Sequence, residues 1–388
     1  MRKIAILLAA TIIISLSSCA TQIEPKIEKE YIKDNNYVYD SNDNIVLCKE
    51  LPQYGYIDYD MRVSDFASYN DFKEKYTDRS KQIESIISGY RTASDNKDYI
   101  IADYQDGVSV VKYNGSDTKL IIPKELDGKK VIKLGGYINK EASDSDTEYK
   151  YVSPLFEKDI TEITIPQFVN EISYGFFYSD YFDKSKSLEK INVDNNNNIF
   201  SSDNGVLYDK NKKALLCVPE NYSASVFSIP TGVTTIYGFY SKNTTDLEIP
   251  STVKKIASLS GKTYLQNSNN WYCSNYNVEN NIASIKVSDD NPNYSSGNGV
   301  LYNKTKSKLL IYPPKKPDNH FAVPDSVEKI APNEADDFKH LVTLSFGKNI
   351  KEINLHNYLE SSIQVVKGYK GTAAEDYAKK NNLTFVPL

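Results

Sequence analysis

The sequence predicts a solenoid of short parallel β-strands, joined by irregular or short helical turns and carrying β-hairpin insertions, with a small α-helical region before it. Two observations predict it. The first is a long internal duplication. One block runs through Ile191-Asn192-Val193-Asp194, Gly205-Val206-Leu207-Tyr208, Pro219, Ile229-Pro230, Val233 and Ile236. The other runs through Ile285-Lys286-Val287-Ser288, Gly299-Val300-Leu301-Tyr302, Pro313, Val323-Pro324, Val327 and Ile330. Ile191 and Ile285, Gly205 and Gly299, and Pro230 and Pro324 are each 94 residues apart, without a gap. The second observation is a shorter unit, apolar-x-Ile-Pro-x-x-Val-x-x-Ile. It occurs as Ile163-Thr164-Ile165-Pro166 with Val169 and Ile172, and again as Leu247-Glu248-Ile249-Pro250 with Val253 and Ile256.

Each part of the unit has a physical reading. Apolar residues two apart share one face of a short strand. The proline that follows donates no ladder hydrogen bond and ends the strand. The later Val and Ile form a turn that tucks back under the same core. A degenerate copy, Leu344-Ser345-Phe346-Gly347 with Ile350 and Ile353, replaces the proline. In an early copy, Leu120-Ile121-Ile122-Pro123, an insertion delays Val131 and Leu134. Strands are thus expected near residues 121, 164, 192, 228, 248, 286, 322, 345 and 364. Most gaps lie between about 20 and 40 residues, a leucine-rich-repeat period with insertions. One such unit cannot bury its apolar face alone, and stacking units buries a continuous core.

Two insertions read as hairpins, Val206–Tyr208 with Ala214–Cys217 and Val300–Tyr302 with Leu309–Tyr312, with polar tips at 209–212 and 303–306. Cys217 aligns with Ile311 across the duplication and is expected to fill an apolar slot. A closing helix over Ala373–Asn381 and a strand at Leu383-Thr384-Phe385-Val386 would cap the far end. A helix over Asn70–Ile87, N-capped by Asn70, would cap the near end.

The Ile-Pro-x-x-Val-x-x-Ile units, the stretch Asn291-Pro292-Asn293-Tyr294…Gly299-Val300-Leu301-Tyr302-Asn303-Lys304, and the closing segment from Gly371 to Asn381 resemble the BspA-type leucine-rich repeats of bacterial and protist surface proteins. The resemblance covers residues 97–388. The turn after the repeat departs from the family's Ala-Phe-x-x-Cys, reading Gly175-Phe176-Phe177 and Gly238-Phe239-Tyr240. It implies a leucine-rich-repeat solenoid that acts by adhesion to host matrix proteins or other cells.

Met1-Arg2-Lys3, the apolar run from Ile4 to Leu16, and Ser17-Ser18-Cys19 form a basic, an apolar and a small-residue region, the order of an export signal. The run is too short to remain as a span of about 30 Å of hydrocarbon. Leu16-Ser17-Ser18-Cys19 resembles the lipobox of bacterial lipoproteins. That resemblance implies cleavage before Cys19, lipidation of its thiol and membrane attachment through two or three acyl chains. The expected layout is a signal peptide over 1–18, a flexible tether over 19–50, an N-terminal helical capping region over 51–96, and the solenoid over 97–388.

Chemistry that would mark an enzyme is not legible. The three histidines, His320, His340 and His356, join no acid or nucleophile in a hydrolase motif, and no Walker or dinucleotide loop occurs. Catalysis, cofactor and metal are therefore not expected. The Asn/Asp-rich runs 194–198 and 288–293 lack the calcium-loop pattern and its closing Glu, so turn chemistry explains them better. The odd number of cysteines beyond Cys19 (Cys48, Cys217 and Cys273) is no disulfide framework. A net charge of −5 and no basic cluster along the chain argue against nucleic acid as a partner.

What remains is binding. The strand residues between core positions (Thr164, Asn192, Ser228, Glu248, Lys286, Ser345 and Gln364) would line an extended polar face for a protein or glycan ligand. The expectation is an exported, lipid-anchored, surface-exposed adhesion protein. The alternative is a structural or assembly lipoprotein of the envelope that binds another bacterial protein.

Overall fold

A computed structural model describes residues 31–32, 37–39, 45–48, 87–135, 137–142, 147–152, 159–172, 176, 187–256, 262–266, 270–274, 281–330, 338, 340–353, 355 and 362–388. Its main feature is two rows of short parallel strands. The first row holds Lys119–Ile121, Glu162–Ile165 and Lys190–Val193 in one ladder. Val226–Ser228, Asp246–Ile249 and Ser284–Val287 form the next. His320–Ala322, Thr343–Ser345, Val365–Gly368 and Thr384–Pro387 form the last. Eight of the nine expected strand positions fall inside these strands. The exception is Gln364, which lies one residue before Val365–Gly368. The architecture is a leucine-rich-repeat solenoid.

The second row is where the Pro-x-x-Val-x-x-Ile turn leads. The proline carbonyl accepts the valine N–H three residues on, at 3.3 Å for Pro166–Val169, 3.2 Å for Pro230–Val233 and 2.9 Å for Pro324–Val327. That turn delivers the following Ile into a two-residue parallel strand. Thr235–Ile236 and Lys255–Ile256 stack on Ala214–Cys217, and Lys329–Ile330 and Glu352–Ile353 stack on Lys308–Ile311. Ile172 and Leu134 are partners in the earliest such pair. The sequence reading had only a turn here.

Each new rung enters on a shared acceptor. Thr118 O receives the N–H groups of Thr161 and Glu162, at 2.7 and 3.3 Å. Ser225 O receives Thr245 and Asp246 at 2.8 and 3.0 Å, and Asn319 O receives Val342 and Thr343 at 2.9 and 3.0 Å. These coils are thereby pinned to the ones before them, and the Thr161 and Thr245 hydroxyls add bonds to the same two carbonyls, Thr118 O and Ser225 O, at 3.1 and 3.3 Å.

The duplication is reproduced in three dimensions. Strands begin at Lys190, Phe200, Val206, Ala214, Val226 and Thr235, and again 94 residues later at Ser284, Tyr294, Val300, Lys308, His320 and Lys329. The two hairpin insertions differ from the expectation. Each is a three-stranded meander whose first strand, Phe200–Asp203 or Tyr294–Gly297, was not foreseen. The tight turn between its first two strands is Asn204-Gly205 or Asn298-Gly299. All four residues have positive φ (49° and 80°, 50° and 77°), as a type I′ hairpin requires. Gly205 O accepts Ile191 N–H at 2.8 Å, and a Cβ on Gly205 would lie 2.9 Å from Lys190 Cγ. Glycine therefore lets the meander dock edge-on against the first-row strand.

The meanders are internal walls rather than surface decoration. Leu207, Ala214, Leu216 and Cys217 pack into a core with Ile163, Ile172 and Ile191. Val206, Tyr208 and Leu215 from the same strands, with Val218 just after them, pack into a second core with Phe227, Ile236 and Leu247. The second wall repeats the device. Leu301 and Ile311 face that second core, while Val300, Tyr302, Leu309 and Tyr312 face a third with Phe321, Ile330 and Leu344. The two walls divide the solenoid into three compartments, and the first-row ladder is interrupted at each. Cys217 is buried in an apolar slot, as its alignment with Ile311 implied, and its thiol donates to Val218 O at 3.7 Å.

At the near end, Tyr90–Thr92 pairs with Tyr99–Tyr104, so the sheet begins at Tyr90 rather than at 97. The delay before Val131 is a tight hairpin, Glu125–Leu126 with Lys129–Lys130, turning on Asp127 and Gly128 at positive φ. Arg91 ties the two elements together. It donates to Asp103 at 2.5 and 2.9 Å and also to Asp127, whose Oδ1 accepts Ser94 N–H at 2.7 Å. These contacts hold both carboxyls well below the usual carboxylate range.

The segment expected as a tether contains short strands within 31–48. Tyr31–Ile32, Tyr37–Tyr39 and Ile45–Cys48 form a three-stranded antiparallel sheet, since runs of Tyr, Val and Ile are strand formers whatever the polarity around them. Cys19, the signal peptide and the bulk of the expected helix at 70–87 lie outside the described residues. At the far end, the helix Ala373–Lys380 buries Ala374, Tyr377 and Ala378 against the third core. Glu375 accepts Gly371 N–H at 2.7 Å, and Thr384–Pro387 closes the first row. Among the described residues no helix is long and apolar enough to cross a membrane.

Candidate binding surface

In a rung such as Glu162–Ile165 the core residues are Ile163 and Ile165, so Glu162 and Thr164 point outward. The same phase places Asn192, Ser228, Glu248, Lys286 and Ser345 on the outer face of the first row, all half-buried or exposed. They do not form one ladder. Thr164 is in register with Asn192; Ser228, Glu248 and Lys286 are in register with one another. Ser345 is flanked by Ala322 and Lys367. Gln364 is therefore corrected. It precedes the strand and shares the phase of the buried Val366, and the outward residue of that rung is Lys367. The segment Ile363-Gln364-Val365-Val366 contains two apolar phases, and the fold buries Ile363 and Val366.

The outer face carries charge pairs between rungs. Glu162 lies 3.0 Å from Lys119 and 3.8 Å from Lys190, joining three successive strands. Ser228 Oγ donates to Glu248 at 2.6 Å, and Lys286 stands 3.5 Å from Glu248. The lysine beside Glu162 and the serine hydroxyl on Glu248 keep both carboxyls below their ordinary range. These pairs are exposed, so they contribute little to stability. Sequence reasoning missed two apolar residues on the same face, Ile121 and Val226, which are 72% and 49% exposed. The signal was available, since both occupy the outward phase of their strands. His320 is also outward and exposed at its rung.

The Asn-rich runs are turns. Asp194 Oδ1 accepts Asn196 N–H at 2.8 Å. Asn197 is fully buried and uses all its capacity. Its amide donates to Pro166 O and Val169 O at 2.9 and 2.8 Å, and its carbonyl accepts the N–H groups of Ile199 and Phe200 at 2.9 and 2.8 Å. Asn291 repeats all four bonds with Pro250, Val253, Asn293 and Tyr294. A lysine meets a turn carbonyl in each run: Lys210 reaches Asn195 O at 3.1 Å, and Lys304 reaches Asp289 O at 2.8 Å. Among the described residues no group of three or more His, Cys, Asp or Glu is placed to hold a metal ion.

No family model matches the chain, and no curated protein is significantly similar to it. Some solved structures are distantly similar. The pneumococcal vaccine antigen PcpA is 16% identical over 72% of each chain, with a TM-score of 0.36. A leucine-rich cell surface protein of Faecalibacterium prausnitzii is 16% identical over 72% of this chain and 77% of its own, with a TM-score of 0.34. A leucine-rich-repeat protein of Eubacterium ventriosum is 17% identical over 73% and 72%, with a TM-score of 0.30. At these values the likenesses do not bear on function, and the solenoid stands on its own strand register.

Proposed function

We propose that this chain is an exported, lipid-anchored binding protein of the bacterial cell surface, which adheres to host matrix or other cells through the outer face of its first strand row. The observation that carries the reading is the division of labour within each rung. Ile163, Leu247, Ile285 and Leu344 are fully buried and build the core, while Thr164, Glu248, Lys286 and Ser345 beside them point outward. A repeated fold held by backbone and core leaves such a face open to variation for a ligand, which is how solenoids present extended binding surfaces. The ligand class is protein or glycan, and the chemistry is recognition rather than catalysis. Membrane attachment rests on Leu16-Ser17-Ser18-Cys19, with Cys19 as the lipidated residue.

Protease shaving of intact cells tests the location, using an antibody to residues 97–388 and a cytoplasmic control. Loss of the antigen without lysis supports the surface reading. Full protection overturns it in favour of an envelope-assembly lipoprotein. Labelled palmitate incorporated into the wild type and not into Cys19→Ala tests the anchor, and equal labelling of both overturns it.

A further inference from the structure

The duplicated blocks keep the same fold but differ in charge on the second row. In the third compartment the rung starts are Ser307, Glu328 and Lys351, followed by Lys308, Lys329 and Glu352. Every acid there is used: Lys351 pairs with Glu328 and Lys329 with Glu352, both at 2.8 Å. In the second compartment the equivalent rung starts are Lys213, Thr234 and Lys254, followed by Ala214, Thr235 and Lys255. Threonines stand where the other block has Glu328 and Lys329, and Lys255 stands where it has Glu352. Lys213, Lys254 and Lys255 are all exposed. Among the described residues none of the three has an acidic partner within ion-pair distance. Lys213 Nζ rests on Gly232 O at 3.2 Å, and Lys255 Nζ lies over the Tyr237 ring at 5.7 Å.

Rungs repeat at about 4.8 Å, so the backbones of Lys213 and Lys254, two rungs apart, are about 10 Å apart. Asp209, which is Asn303 in the sister block, accepts the N–H groups of Lys213 and Ala214 at 2.6 and 2.7 Å and offsets one of the three charges; the two left over repel, and an anion laid across them relieves the repulsion. The fold does not demand them, because the sister block builds the same rungs with neutralised pairs. We infer that this patch is a binding site for a linear anionic polysaccharide bearing sulfate or carboxylate groups. The absence of an apolar anchor separates this partner from the others. The exposed large apolar side chains among the described residues are Tyr104, Ile121, Val226, Val342, Tyr369, Val386 and Leu388, and none belongs to these rungs. A peptide ligand draws most of its affinity from apolar or aromatic anchors, and single-stranded nucleic acid from bases stacked on exposed rings. Lysines spaced along a regular ladder fit a polymer recognised by repeated charge contacts; the Thr234 hydroxyl is turned inward to Lys213 O at 3.1 Å. The site is on the second row and does not depend on the first-row reading.

The test is binding of fluorescent dextran sulfate to the purified full chain, with uncharged dextran as control and poly-glutamate and single-stranded DNA as competitors. Three phosphate-like contacts at about 0.7 released counterion each make affinity fall about 20-fold between about 50 and about 200 mM salt. Thr234→Glu combined with Lys255→Glu copies the sister block's two glutamates, Glu328 and Glu352, at positions where this fold already accepts them. That variant is expected to melt like the wild type and to lose dextran sulfate binding and most of its salt dependence. Lys329→Gln with Lys351→Gln, in the sister block, is expected to leave binding unchanged. The inference is overturned if the copied pattern binds like the wild type, if the sister-block variant loses binding equally, or if poly-glutamate or DNA displaces dextran sulfate at lower charge concentration.

Discussion

Replacing Asn197 by leucine removes a side chain of similar size that fills all four of its hydrogen-bonding positions in a fully buried site. Two carbonyls, of Pro166 and Val169, and two N–H groups, of Ile199 and Phe200, lose their partner where water cannot replace it. Each orphaned buried group costs about 1–3 kcal/mol. Taking about 1 kcal/mol for each gives a loss of about 4 kcal/mol, a large share of the roughly 5–15 kcal/mol that holds a domain together. The molecule supplies its own replicate, because Asn291→Leu breaks the same four bonds one block later. Asn197→Asp separates the two halves of the effect. Its carboxylate still accepts from Ile199 and Phe200 but faces Pro166 O and Val169 O without a proton. Burial raises that carboxyl's pKa, so the variant is least destabilised at low pH and loses stability as pH rises and the group ionises. Urea unfolding by far-UV circular dichroism measures the losses, and exchange of the Ile199 and Phe200 amides localises them. A loss under about 1 kcal/mol for both leucine variants, with those two amides still protected, would refute the reasoning.

Two further predictions follow from the walls and the N-terminal clamp. Leu215→Ala and Leu216→Ala alter adjacent residues that face different compartments. Each is expected to cost about 2–5 kcal/mol, with Leu215→Ala loosening amides around Ile236 and Leu247, and Leu216→Ala those around Ile163 and Ile172; identical exchange patterns would contradict the wall. Because Asp103 and Asp127 titrate below their ordinary value near 3.9, the clamp contributes fully above that value and is lost as pH falls through the depressed range. The melting temperature is expected to drop between about pH 5 and about pH 2, and to drop less in Asp103→Asn with Asp127→Asn; equal drops would show that the clamp is not the acid-sensitive element.

The first row and the duplication were legible because strand alternation and the Ile-Pro step recur in sequence. The second row was hidden, since two-residue strands such as Thr235–Ile236 are too short to show a period. The walls were read as insertions because both faces of Val206–Asp209 and Ala214–Cys217 are buried, and a two-sided apolar run does not say what lies on each side. The strand Phe200–Asp203 escaped despite the Asn-Gly turn after it, because Phe-Ser-Ser-Asp has no apolar alternation. The lysine patch could not be seen along the chain: Lys213 and Lys254 are 41 residues apart and meet only through rung stacking. Gln364 lies one residue before its strand, where Ile363 and Val366 of opposite phases are both buried, so alternation alone does not fix the register of that rung.

The central claim is that the outer face of the first row serves a ligand and not the fold. Its most direct measurement is a single variant, Thr164→Ala, Asn192→Ala, Ser228→Ala, Glu248→Ala, Lys286→Ala and Ser345→Ala together, displayed on cells and also purified. Each change removes an exposed or half-buried group with weak pairs, so the sum is expected to move the melting temperature by only a few degrees. Attachment of the cells to host matrix or to partner cells is expected to fall to the level of cells without the protein. Unchanged attachment with an intact fold would contradict the claim, and so would a collapse of stability, which would make the row structural.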